Sequence, residues 1–306
     1  MSEVVLSTEH VVCGPHGCAG VSSQLAEPLL GTAPHASAWL LLEHPGPWPA
    51  TAPDGLLDAV VADELARRCA PHHVRIVAIR RPKTPPHPAP GACYVASTQP
   101  ARTWIARVPL TEPKDLLDLD IESIASGATP GEGDSVDGPF YLVCTHGKRD
   151  ACCAANGRPV HRALERLAPG RVWESTHLGG HRFAANVLAL PEGVMYGRVD
   201  PAHASTLVET HARGAIIPAL WRGRSAHPQA AQAAEWFARR ARRLLDIDAI
   251  TIEQVDSTPD VSTVSLRAGT EPVTVVVERV ATGCSRLTGC AGDTADPGRW
   301  RLVWMS

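Results

Sequence analysis

The chain alternates short, densely apolar runs with amphipathic stretches, and the period of each run predicts its element. Residues 38–44 (AWLLLEH) and 74–79 read as buried strands, and 54–69 between them carries apolar residues at helical spacing behind an aspartate able to cap the first turn. A proline-rich loop (RRPKTPPHPAPG) leads to strands at 93–97 and 103–108 and to a helix over 113–125 that opens on proline. The order is βαβββα.

Residues 127–138 (GATPGEGDSVDG) have the composition of a flexible linker, after which the pattern returns. A strand at 140–144 (FYLVC), a helix at 158–167, strands at 171–175, 186–190 and 194–199 and a helix at 201–213 repeat the βαβββα order. Two successive segments with one order of elements suggest an internal duplication, although the residues themselves show little similarity. A βαβ unit with an antiparallel strand pair and a closing helix is the thioredoxin-like arrangement, which offers ligand-bearing loops at the carboxyl ends of its parallel strands. From about residue 216, a helix over 229–245 and strands near 250–255, 261–266, 273–280 and 300–304 read as a small α+β appendage. The expected fold is therefore α/β (α+β): an N-terminal segment 1–30, a first thioredoxin-like domain 31–126, a linker 127–138, a second thioredoxin-like domain 139–215 and an appendage 216–306.

Composition narrows the function classes. With 306 residues, 44% apolar and 20% charged, the chain can bury sizeable cores, and a net charge of −3 without blocks of like charge argues against nucleic acid as a partner. The start, MSEVVLSTEH, lacks a basic region followed by an apolar run, and no stretch of eighteen apolar residues occurs, so a membrane partner is not expected and the cytoplasm is the expected compartment. Nine cysteines, an odd number spread along the chain, favour ligands and buried thiols over a disulfide framework.

The chemistry concentrates where the second series begins. CTHGKRDACC places Cys144 and Cys153 nine positions apart at the end of a strand, and HLGGH places His177 and His181 four apart after another. Two thiols and two imidazoles suit zinc or an iron–sulfur centre, and the residues by themselves leave both open. Two glycines between the histidines argue for a loop rather than a helix, and Gly147 is expected to allow a tight turn after the strand. Cys152 is the neighbouring thiol, expected to be buried, and His146 is expected to hydrogen-bond backbone.

CTHGKRDACC followed by HLGGH resembles the sucrase/ferredoxin-like family, thioredoxin-like ferredoxins with a bis-histidinyl [2Fe-2S] cluster; EPLLGTAPHASAWLLLEHPGPW extends the resemblance toward the N-terminus. The resemblance implies that Cys144 and Cys153 hold one iron of a [2Fe-2S] cluster and His177 and His181 the other, in a domain without a counterpart cluster in 31–126. It implies an electron carrier serving an unidentified redox partner, a reductase or an acceptor, rather than an enzyme with its own substrate, so no catalytic residue is expected. Two thiolates and two neutral imidazoles leave the oxidised core formally neutral, which eases reduction relative to four thiolates, and electron uptake should raise the proton affinity of the imidazoles. Lys148, Arg149 and Asp150 are candidates to donate to the sulfurs or to orient a ring nitrogen.

Two alternatives remain: a Cys2His2 zinc module and a thiol–disulfide oxidoreductase of thioredoxin-like fold, the latter without a CxxC at a strand-to-helix turn. Cys13 with Cys18 (CGPHGC) and Cys284 with Cys290 (CSRLTGC) are further pairs able to bind metal or oxidise, while Cys69 and Cys93 read as core. The basic run 239–243 (RRARR) reads as the solvated face of a helix, and Trp236, Trp300 and Trp304 as packing anchors.

Overall fold

The apolar runs at 38–43 and 140–144 become interior strands of one mixed sheet. The computed structural model describes residues 17–51, 54–81, 93–131, 133–259, 261–283, 285–292 and 294–306. Helix α1 (Gly17–Gln24) precedes the first series, β1 (Ala38–Glu43), α2 (Ala59–Cys69), β2 (Val74–Arg80), β3 (Cys93–Ser97), β4 (Trp104–Val108) and α3 (Ile121–Ala125). A two-residue strand, β5 (Asp134–Ser135), lies within the glycine-rich 127–138 segment and pairs with β4. The second series is β6 (Phe140–Cys144), α4 (Ala151–Leu167), β7 (Val172–Ser175), β8 (Val187–Leu190), β9 (Val194–Tyr196) and α5 (Ala204–Ala212). Both series run in the expected order, and the fold class is mixed α/β.

The two series stand side by side in a single ten-stranded sheet, ordered β10-β9-β8-β6-β7-β2-β1-β3-β4-β5, where β10 is Trp221–Arg224. In each, the first strand pairs parallel with the second and antiparallel with the third. The parallel pairs need crossovers, which α2 and α4 supply. The series meet where β2 and β7 pair antiparallel, Ile79 opposite Ser175 and Arg80 opposite Glu174. Arg80 Nε also lies 2.7 Å from Glu174 Oε2 across this seam.

Alternation along the strands divides the core. Leu40 and Leu42 of β1 face Leu65 and Cys69 of α2, and Tyr141 and Val143 of β6 face Val160 and Leu164 of α4. Trp39 and Leu41 point the other way and join Leu142, Trp173 and Leu188 in one apolar cluster that crosses the seam and includes Cys144 and Cys153. Each fully buried leucine or valine contributes roughly 1.5–3 kcal/mol, so the end of β6 that carries Cys144 rests on a buried apolar cluster. Cys69 and Cys93 are buried as expected, in the cluster between β1 and α2.

Helix α4 begins at Ala151, seven residues before the expected start at 158. Asp150 caps it by accepting from Cys152 N at 2.9 Å. Gly157 and Pro159 read in the sequence as breakers, but Gly157 lets the helix lie against the sheet: a Cβ there would sit 2.1 Å from the Cys144 carbonyl oxygen.

Beyond β10, α6 (Gln229–Arg242) covers a four-stranded antiparallel sheet of β11 (Ile250–Ser257), β12 (Val261–Ala268), β13 (Glu271–Val280) and the C-terminal strand Arg299–Met305. Ala230, Ala231, Ala234 and Ala238 pack on Val264, Leu266, Val275 and Val277. The basic run departs from its expected solvated character. Arg239 is 2% exposed, bound to Glu235 and donating to the carbonyls of Asp246 and Ile247, because the helix end turns into the core; Arg240 and Arg243 are exposed. Trp304 is 53% exposed on the uncovered face of its strand rather than a packing anchor. Trp236 stacks on Trp221, and Trp300 Nε1 donates to the Gly31 carbonyl. Among the described residues no helix is long and apolar enough to cross a membrane.

Candidate metal centre

The seam-crossing core ends at the carboxyl ends of β6 and β7, where the candidate ligands lie. Cys144 is the last residue of β6, and Cys153 sits in the first turn of α4; both are buried. His177 follows β7, and His181 opens a short 3-10 turn, His181–Phe183. Gly179 and Gly180 take φ of +95° and +71°, so the loop geometry expected from HLGGH is what turns both rings back toward β6. The chain also turns at Gly147 as expected, over residues 147–149, but without a positive φ. A Cβ there would lie 2.9 Å from the Ala154 methyl, so glycine makes room for α4.

Cys144, Cys153 and His177 bring their ligand atoms within 4.8 Å of one another, with Cys153 Sγ 3.9 Å from His177 Nδ1. His181 stands beside this trio and not within it, its ring centroid 5.1 Å from that of His177. The cysteines are enclosed and the two imidazoles half-buried, so the nitrogen side faces outward. The Cys153 thiol and the His177 ring stabilise a Cys144 thiolate, holding its pKa well below the ordinary range against the effect of burial. The same contact, with burial, pushes the Cys153 thiol up. Burial lowers the pKa of His181, keeping its ring neutral.

This donor set fits a thiophilic metal centre. His181 Nδ1 is buried without a hydrogen bond among the described residues, an arrangement that costs about 1–3 kcal/mol unless the nitrogen has another partner. Neutral imidazole nitrogen and thiolate sulfur are the ligand types of zinc and of iron–sulfur clusters. Asp150 Oδ2 lies 3.8 Å from His181 Nδ1, beside the ring the carboxylate was expected to orient. Lys148 and Arg149 are exposed, and among the described residues neither hydrogen-bonds a cysteine sulfur. His146 is buried and its Nε2 lies 2.7 Å from the Pro49 carbonyl, the backbone contact expected of it.

Two residues without a sequence signal hold the histidine loop. Arg222 on β10, fully buried, donates to the Gly179 carbonyl (2.9 Å), to Asn186 Oδ1 (2.7 Å) and to Thr32. Asn186 donates to the Gly180 carbonyl (2.9 Å), and its own carbonyl accepts from Cys144 N (3.1 Å), tying the thiol strand to the imidazole loop. Burial draws the Arg222 pKa down to about 9. An arginine in WRGR and an asparagine opening an apolar run were the available hints, and neither names a partner.

A model of sucrase/ferredoxin-like proteins matches residues 29–223, more than half of the chain. The chain belongs to the sucrase/ferredoxin-like family. Among curated relatives, altered inheritance of mitochondria protein 32 of Meyerozyma guilliermondii is 33% identical over 103 residues, 30% of this chain and 36% of that protein. The protein of the same name in Saccharomyces cerevisiae strain S288c is 31% identical over 106 residues, 30% and 34% of the two chains. The chain thus matches about a third of the length of these relatives. Among solved structures, a thioredoxin-like [2Fe-2S] ferredoxin from Aquifex aeolicus is 19% identical, covering 30% of this chain and 97% of that one, at a TM-score of 0.27. Its Cys55Ser variant gives 19%, 28%, 97% and 0.25. Such scores carry no argument about this fold, which stands on its own strand order.

Of the other cysteine pairs, one member of each is described. Cys13 and Cys284 lie outside the described residues. Cys18 and Cys290 come together with Cys152, which is buried as expected and lies 3.3 Å from Cys290 sulfur to sulfur.

Proposed function

We propose that the chain is a one-electron carrier that holds a [2Fe-2S] cluster, Cys144 and Cys153 on one iron and His177 and His181 on the other. The observation that carries this reading is the convergence of Cys144, Cys153 and His177 at two neighbouring strand ends, with an unbonded His181 nitrogen beside them. When bound, the cluster supplies reversible uptake of one electron, at a potential between or within roughly −150 to +300 mV for histidine-ligated centres and about −400 mV for plant-type ones. The chain's own residues do the rest. Cys144 and Cys153 anchor the buried side, Arg222 and Asn186 fix the imidazole loop, and the half-buried rings present the face through which a redox partner protein exchanges electrons and protons. The same reading takes the cytoplasm as its compartment, which cell fractionation tests.

Anaerobic absorption and electron paramagnetic resonance spectra of the wild type beside Cys144→Ser and His177→Ala test the ligation. A brown protein with iron and acid-labile sulfide in equal amount is expected, its signal lost in Cys144→Ser and altered in His177→Ala. Imidazole ligation also requires a midpoint potential that falls as pH rises. A colourless protein that releases zinc on denaturation would instead identify the same four residues as a zinc module. Reduction of insulin at a catalytic rate would favour the oxidoreductase reading.

A further inference from the structure

The cysteines that the iron reading leaves aside converge as well. Cys152 adjoins Cys153 in the first turn of α4, yet its sulfur lies 3.3 Å from that of Cys290, which in turn is 3.7 Å from that of Cys18. Both carboxylate oxygens of Asp150 are 3.7 Å from the Cys18 sulfur, and the four ligand atoms all lie within 4.8 Å of one another. Cys18, Asp150 and Cys152 are buried and Cys290 half-buried. Three segments far apart in sequence, α1, α4 and the stretch after β13, supply them. A cavity of about 500 Å³ lined by Gly17, Gly20, Ala151, Cys152, Asn156 and Cys290 opens beside the group and gives an ion a way in.

The spacing approaches that of a tetrahedral site. At a zinc–sulfur distance of about 2.3 Å, two ligand sulfurs stand about 3.8 Å apart; the 3.7 Å between Cys290 and Cys18 matches, and the 3.3 Å between Cys290 and Cys152 would open slightly around an ion. We propose that in the reduced protein Cys18, Cys152, Cys290 and Asp150 form a second metal site, closed by four protein ligands, for a thiophilic divalent cation of the zinc class. Three soft thiolates and one carboxylate suit such an ion better than a hard cation. Cys290 is disulfide-bonded in this structure, which makes the described state the oxidised one. A dithiol or phosphine reductant supplies the two electrons that, with two protons, convert the disulfide to two thiols, and the reductant is oxidised in turn. The incoming cation then displaces the thiol protons of its ligands. Metal binding would staple the N-terminal helix and the C-terminal segment onto the helix that carries Cys153.

The test uses the full chain purified anaerobically with a phosphine reductant, with iron and zinc measured together in wild type, Cys18→Ser, Cys290→Ser and Cys144→Ser. About one zinc equivalent is expected in wild type. It should be lost in Cys18→Ser and Cys290→Ser with iron retained, and kept in Cys144→Ser as iron is lost, so failure here and failure of the iron reading are distinguishable. Zinc unchanged in the Cys18 and Cys290 variants overturns the proposal. A wild-type measurement guards against misfolded variants: Co²⁺ titrated into the reduced, zinc-stripped chain should give thiolate-to-cobalt absorption that the disulfide-oxidised chain lacks. Absence of that absorption, or equal absorption in both, also overturns it.

Discussion

The two βαβββα series share an order of elements and a sheet, but only one ends its first strand in a candidate ligand. β6 closes on Cys144, whereas β1 closes on Glu43, and the loop after β1 is used for packing: Arg80 lies over Trp48 at 4.0 Å and Pro49 accepts from His146. The first series therefore serves the second, bracing its strand end from across the seam. Topology offers the same strand-end position twice, and side chains decide which one gathers a candidate donor set.

The largest effect should come from the position that distinguishes the two. Cys144→Ser should abolish bound iron while Glu43→Gln leaves it at the wild-type level, read by iron and sulfide content per folded protein; equal losses would erase the contrast. The complementary break falls on the bracing series. Leu65→Ala removes a fully buried leucine of α2 and should cost about 2–5 kcal/mol in urea unfolding, with iron per folded molecule unchanged.

The third test concerns the side of the second series where the C-terminal sheet docks. Burial holds His227 at about 4, against 6.5 for an ordinary histidine. Between those values the unfolded chain binds the extra proton, so stability is intact above pH 6.5 and falls as pH drops toward 4, by up to about 3 kcal/mol. Denaturant midpoints at pH 7.5 and 4.5 should show His227→Gln losing less stability on acidification than wild type. A further effect is expected at the close approach of α4 to β6. Gly157→Ala places a methyl 2.1 Å from the Cys144 carbonyl oxygen, where backbone must shift to make room. A clear fall in unfolding temperature with a shifted cluster spectrum is expected, and an unchanged temperature and spectrum would show that α4 is not held against β6 there.

Much of this organisation was legible in the residues. The runs AWLLLE and FYLVC announce strands buried on both faces, because an interior strand tolerates no polar side. The paired glycines of HLGGH announce a loop, because two positive φ angles are needed there. The first turns of α4 were not legible in the residues, because Gly157 and Pro159 are poor helix formers, while the Asp150 cap and the packing against β6 outweigh them. Arg239 reads as one charge in a basic run, and only its Glu235 partner and the returning carbonyls after α6 make its burial tolerable.

By itself the sequence determined the type and order of the elements, the family, and the two short motifs that carry the candidate ligands, since periodicity and ligand spacing are local properties of the chain. Tertiary structure alone decided that the two series share one sheet, that Arg222 and Asn186 clasp the histidine loop, and that Cys18 and Cys290 meet Cys152 and Asp150. Apart from Asn186 with Gly180, those contacts join residues from 36 to 272 positions apart, and no local pattern encodes which distant polar group will satisfy a buried one.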